Sequence, residues 1–118
     1  QFDAIKKLAS EGPCVMVGRC ADYALSEYKD CFSVFVHADT DWRINRLSQK
    51  HNKTAKEAKD MINKTDKSRS SYYNYYTNKK WGAASSYNLC VDSSKLGIDG
   101  AAKAIIQAIE IFDSIKNK

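Results

Sequence analysis

An apolar run, Cys14-Val15-Met16-Val17, ends at Gly18, and Arg19 follows at once. A buried strand that stops on a glycine delivers the next side chain to the edge of a parallel sheet, where ligands bind in open α/β folds. Gly18 permits the sharp backbone turn. The planar guanidinium of Arg19 offers a fork of donors matched to the oxygens of a phosphate. Asp22 has the chemistry to accept from a base or a ribose, or to orient Arg19. A plainer arrangement, Arg19 paired with Asp22 across a helix N-terminus, uses the same residues.

A second constellation runs Asp66-Lys67-Ser68-Arg69-Ser70-Ser71-Tyr72-Tyr73-Asn74-Tyr75-Tyr76. On a helix Asp66, Arg69 and Tyr73 share one face, with Lys67 and Ser70 on the adjacent one. Cations so placed can close over a transferred phosphate, the electrostatic part of phosphoryl transfer. Spacing from Met61 and Thr65 puts Tyr72 and Tyr76 in the core and leaves the other tyrosines to stack on a base. A tyrosine-rich helix packed on a sheet explains the aromatics equally well, but not the surrounding cations. Arg43, Arg46 and Lys50 make a basic face on another helix; such a face is usually only solvated, but beside a nucleotide it would complement phosphates. Asp92-Ser93-Ser94 follows a strand directly and faces the ligand side, where Asp92 either meets the ligand or receives hydrogen bonds from its own turn.

These residues need elements to hold them. Phe2, Ile5, Leu8 and Ala9 fall on one helical face that Gly12-Pro13 stops. Cys14 to Val17 predict a first strand, Ala21 to Tyr28 a short helix, and Phe32 to Ala38 a second strand. Asp39 is placed to cap a helix through Trp42, Ile44 and Leu47. Thr54-Ala55-Lys56-Glu57 is a capping box. It opens a helix to about Tyr76, roughly 33 Å long, with Ala58, Met61, Ile62 and Thr65 inward. Tyr87 to Val91 predict a third strand. Ile98, Ala101, Ala102, Ile105, Ile109, Phe112 and Ile115 trace a last helix. Strands alternating with helices imply a parallel sheet covered on both faces.

The 118 residues suit one domain, and 43% hydrophobic residues with a single proline is a globular composition. No apolar run reaches membrane-spanning length, and no signal-peptide pattern is present. Nineteen Lys and Arg against 14 Asp and Glu give +5, which fits an anionic ligand but also merely a soluble surface. Cys14, Cys20, Cys31 and Cys90 lack zinc spacing and read as reduced thiols. His37 and His51 have no partner at catalytic or metal spacing. No glycine-rich phosphate loop is present.

Together these segments resemble the cytidylate kinase-like family of nucleoside monophosphate kinases. The resemblance is carried by Gly12 to Asp22, by Phe35-Val36-His37-Ala38 leading into Arg43 and Arg46, by Thr65-Asp66-Lys67-Ser68-Arg69 with Tyr72 to Thr77 and Trp81-Gly82, and by Asp92 to Ile98. It covers nearly the whole chain, in order. It implies an α/β, P-loop NTPase-like parallel sheet of order 2-3-1-4-5, in which ATP with Mg²⁺ passes its γ-phosphoryl group to a nucleoside monophosphate, CMP-like for preference. By this resemblance Arg19 holds the acceptor's phosphate, and Asp22, Asp66 and Tyr73 lie on the acceptor side. Lys67 and Arg69 become catalytic lid cations, with 54–82 as a lid-like helical region. Arg43 or Arg46 lies near ATP.

The sequence departs from the family pattern twice. Cytidylate kinases carry Gly-Arg-Asp where this chain has Gly18-Arg19-Cys20, which leaves the base unassigned. The family's first strand and phosphate loop are also missing and belong before Gln1, so the predicted strands become strands 3, 4 and 5, and the absent strand belongs between the first two. The expectation is a partial domain, 1–118, inactive alone. The missing segment or another chain completes the sheet, or the region is rearranged; direct pairing of Val15–Val17 with Val34–Val36 would contradict this. A cytoplasmic protein without membrane or nucleic-acid partners follows. A non-catalytic nucleotide- or RNA-binding module and a degenerate kinase domain are the other readings.

Overall fold

In a computed structural model describing residues 2–18 and 20–116, α1 spans Phe2–Ser10 and α2 Ala21–Ala24. Strand β1 is Val34–His37, followed by α3 (Thr40–His51) and α4 (Ala55–Thr77). A 3-10 turn, Ala84–Ser86, leads into β2 (Leu89–Asp92) and α5 (Ser93–Lys116), which bends at Gly97 where φ is 74°. The capping box of α4 forms as predicted: Glu57 N–H donates to Thr54 Oγ1 at 3.1 Å, and Thr54 N–H to Glu57 Oε1 at 3.0 Å. Asp39 sits at the N-cap of α3 but makes no side-chain cap; its own N–H donates instead to Ser94 Oγ at 3.0 Å. That bond ties the start of α3 to the start of α5.

The α/β class holds. Strands β1 and β2 pair in parallel, Val34 opposite Leu89 and His37 opposite Asp92. Side chains bracket the entry to this ladder. Ser33 N–H donates to Asn88 Oδ1 at 2.8 Å, and Asn88 N–H donates to Ser33 Oγ at 3.0 Å. Helix α5 packs on both strands; Ala101 on α5 and Val91 on β2 are buried, and Phe32 lies against Phe112 at 5.3 Å. A second cluster joins α1 and α2 through Ile5, Ala24 and Leu25, backed by Phe2, Met16 and Cys31.

The strand predicted over Cys14 to Val17 does not form. Among the described residues it has no ladder partner, and Val15 and Val17 are 93% and 90% exposed. An apolar period can mark a strand, but only a neighbouring strand can satisfy its backbone. Val15–Val17 do not pair with Val34–Val36.

The inward face of α4 is also phased differently. Ala58, Ile62, Tyr73 and Thr77 are buried, while Met61 and Thr65 are exposed. Tyr73, at 6% exposure, is the core tyrosine; Tyr72 is half-buried and Tyr76 is 47% exposed. On α5 the predicted stripe narrows to Ala101, Ile105 and Phe112, with Ile98, Ala102, Ile109 and Ile115 exposed.

Candidate functional site

Arg43 lies in the first turns of α3, just beyond the C-terminal end of β1. From there its guanidinium reaches across to α4. Nη1 and Nη2 donate to the two carboxylate oxygens of Asp66 at 2.8 and 2.9 Å, a bidentate pair between half-buried side chains. Arg69, one helical turn beyond Asp66, donates to the same carboxylate through Nη2. One acid thus gathers two arginines that are far apart in sequence.

The electrostatics agree. Arg43's hydrogen bonds hold the Asp66 carboxyl below the usual carboxylate range, Arg69 adding to the effect. The same pair raises the guanidinium of Arg43. Two cations and one anion leave a net positive charge with unused N–H donors on both arginines. Such an array can receive phosphate oxygens. Lys67, next to Asp66 in the chain, is exposed, its ammonium without a hydrogen bond or ion pair among the described residues.

Each of two arginines also lies over an indole. Arg69 Cζ is 5.0 Å from the ring centroid of Trp81, and Arg46 Cζ is 5.7 Å from that of Trp42. The predicted basic face of α3 therefore divides: Arg43 turns to Asp66, while the exposed Arg46 stays on its own helix.

A second group lies toward α2. Tyr73 Oη donates to Asp22 Oδ2 at 2.7 Å, joining α4 to α2. Burial, then the Asp22 carboxylate, raises the Tyr73 phenol far above its ordinary value. Its ring stacks on Tyr87 at 5.9 Å, and Tyr87 stacks on Phe35 at 4.8 Å. Tyr73 thus contacts Asp22 and the core, and Asp22 keeps one carboxylate oxygen for another donor. Asp22 lines a cavity of about 230 Å³ together with Ser33, Lys79, Tyr87 and Asn88. Ser33 and Asn88 precede the strands, so this cavity lies at their N-terminal ends, and neither Arg43 nor Asp66 lines it.

At the opposite ends, Asp92 accepts from Ser94 N–H at 2.9 Å and from Ser94 Oγ. These bonds hold its carboxyl below the usual range and give it the turn-forming role. Arg19 lies outside the described residues. Its neighbour Cys20 is buried with φ 56°, and burial pushes its thiol up. Trp81, Tyr87 and Lys79 escaped the site reading; the Trp81-Gly82 pair was visible, but nothing local says that it returns to Arg69. Among the described residues no group of three or more His, Cys, Asp or Glu side chains is placed to hold a metal ion, and no helix is long and apolar enough to cross a membrane.

Comparison with known proteins adds three findings. The profile of the cytidylate kinase-like family matches residues 1–95. A crystal structure of an uncharacterized protein from Eubacterium ventriosum ATCC 27560 is similar at 34% identity and a TM-score of 0.89, over 92% of this chain and 62% of that one. The chain therefore spans less than two thirds of that solved relative. No curated protein matches.

Proposed function

The chain belongs to the cytidylate kinase-like family, and from that premise we propose that it is the acceptor-and-lid portion of a P-loop NTPase that phosphorylates a nucleoside monophosphate from ATP. The observation that carries this reading is the joining of Arg43 and Arg69 on Asp66, with Lys67 alongside. A phosphate oxygen of the acceptor attacks the γ-phosphorus in line. That P–O bond forms as the bond from the γ-phosphorus to the β,γ-bridging oxygen breaks, and the leaving electron pair stays on ADP. Negative charge spreads over the equatorial oxygens, where Arg69 and Lys67 stabilise it. Arg43 and Arg46 serve the ATP end, and Arg19 the acceptor's phosphate. Asp66 acts through the two arginines it holds. Asp22, oriented by Tyr73, offers its remaining oxygen to an amino or hydroxyl donor of the acceptor, a CMP-like one for preference.

Mg²⁺ would enter bound to the triphosphate; no protein step here depends on it. The phosphate loop and its strand come from a preceding segment or another chain, and fill the place between the exposed Val15–Val17 and β1. The exposure of those valines and the greater length of the solved relative support this. Such an enzyme would act in the cytoplasm, with no membrane or nucleic acid as partner.

The test is a coupled ATPase assay on the full-length protein with CMP, dCMP, UMP and AMP. Arg19→Ala should abolish acceptor-dependent turnover and spare ATP binding, and Arg69→Ala should lower kcat roughly 10³-fold. Residues 1–118 alone should show no turnover. Unchanged turnover in Arg19→Ala removes that residue from the site, and silence with every monophosphate means a different acceptor or a degenerate domain.

A further inference from the structure

After α4 the chain reverses. Asn78 takes a left-handed conformation at φ 59°, Lys79 N–H donates to Thr77 Oγ1 at 3.0 Å, and Trp81 N–H donates to Asn74 Oδ1 at 2.8 Å. The turn is thereby pinned to the helix it has just left. Gly82, at φ 80°, lies against β1, where a Cβ would touch the Phe35 ring at an ordinary contact distance of 3.5 Å. The half-buried indole of Trp81 stands edge-on to Phe35 at 5.2 Å and lies beneath the guanidinium of Arg69. Arg69 is thus held from two sides, by Asp66 through Nη2 and by the Trp81 ring over which its Cζ lies.

We infer that Trp81 is a positioning residue for Arg69, one that fixes the guanidinium plane so that its outward donors meet a phosphate in a single orientation. The consequence for catalysis rests on the kinase reading above; the packing does not. A half-exposed arginine on a helix ordinarily samples many rotamers, and ordering it upon ligand binding costs entropy. An indole already anchored to the sheet through Phe35 removes that freedom beforehand. Tryptophan is suited to this because its ring gives the strongest cation–π attraction.

The experiment compares Trp81→Leu, Trp81→Phe, Arg69→Ala and the Trp81→Leu/Arg69→Ala pair in the full-length protein. With saturating ATP and CMP, Trp81→Leu should lower kcat roughly 5- to 30-fold, while KM for CMP moves less than about twofold. Trp81→Phe should restore most of the loss, and Trp81→Leu should cost nothing further once Arg69 is alanine. An undiminished effect in the Arg69→Ala background, or a phenylalanine no better than leucine, overturns the inference. Affinity for inorganic tripolyphosphate is measured on the same proteins. If the wild type phosphorylates no monophosphate, the kinase reading fails, and this affinity still decides the role of Trp81. Arg69→Ala and Trp81→Leu must then each weaken it, and non-additively; normal affinity in either variant overturns the positioning role.

Discussion

Asp66→Asn keeps the shape of the side chain and removes its charge, leaving Arg43 without its ionic partner. The two side chains are 28% and 27% exposed and joined by two hydrogen bonds. That places the pair between a surface bridge, worth about 0–1 kcal/mol, and a buried one whose breakage costs about 3–5 kcal/mol. A loss of about 2 kcal/mol at pH 7 is expected, in line with hydrogen bonds to charged groups. At about 2.1 cal/mol/K per residue, unfolding 118 residues has an entropy near 0.25 kcal/mol/K, so Tm should fall by about 8 °C. The folded carboxyl titrates below its unfolded value, chiefly through Arg43. Its stabilisation is therefore complete above the unfolded pKa of about 3.9 and disappears as pH falls through the lower folded value. The variant and the wild type should converge in acid. Urea unfolding at pH 7 with Arg43→Gln and the double variant isolates the pair, with a coupling of about 1.5 kcal/mol expected. Coupling below about 0.5 kcal/mol, or a deficit that persists below the folded pKa, would refute the bridge as the link between α3 and α4.

Two further outcomes can be checked on the same material. In an alkaline absorbance titration, the buried Tyr73 should ionise only well above the ordinary phenol range, and Tyr73→Phe should remove one late-titrating phenol. Since the folded value is raised, Tyr73 contributes unchanged stability below its unfolded pKa of about 10, and the contribution falls as pH rises above it. Thr54→Ala should destabilise by about 1 kcal/mol through loss of the α4 cap, read as a lower urea midpoint at constant m.

How much was legible depended on how local the cause was. The α4 capping box needs only Thr54 and Glu57 and could be read directly. The tyrosine run was ambiguous because four tyrosines within five residues fit two helical phases. The inward phase belongs to Ala58 and Ile62, and it is Tyr73 that continues it. Cys14 to Val17 carried a strand's composition without a strand's partner. Asp39 held the N-cap position, yet its side chain caps nothing, and its backbone N–H donates to Ser94, beyond β2. The same distance hid the basic face of α3, where nothing in the spacing of Arg43 and Arg46 says that one would leave for another helix.

By itself, the sequence determined the α/β class, most helix positions and the residue types of the proposed site, because period, caps and charge are written within a few residues of one another. Only the tertiary structure decided which of those residues act together. Asp66 joins Arg43 across two helices, Trp81 returns to Arg69, and Tyr73 reaches Asp22. Each of these contacts joins residues that only the packing of separate segments brings together, and their separation along the chain carries no local signal of that packing.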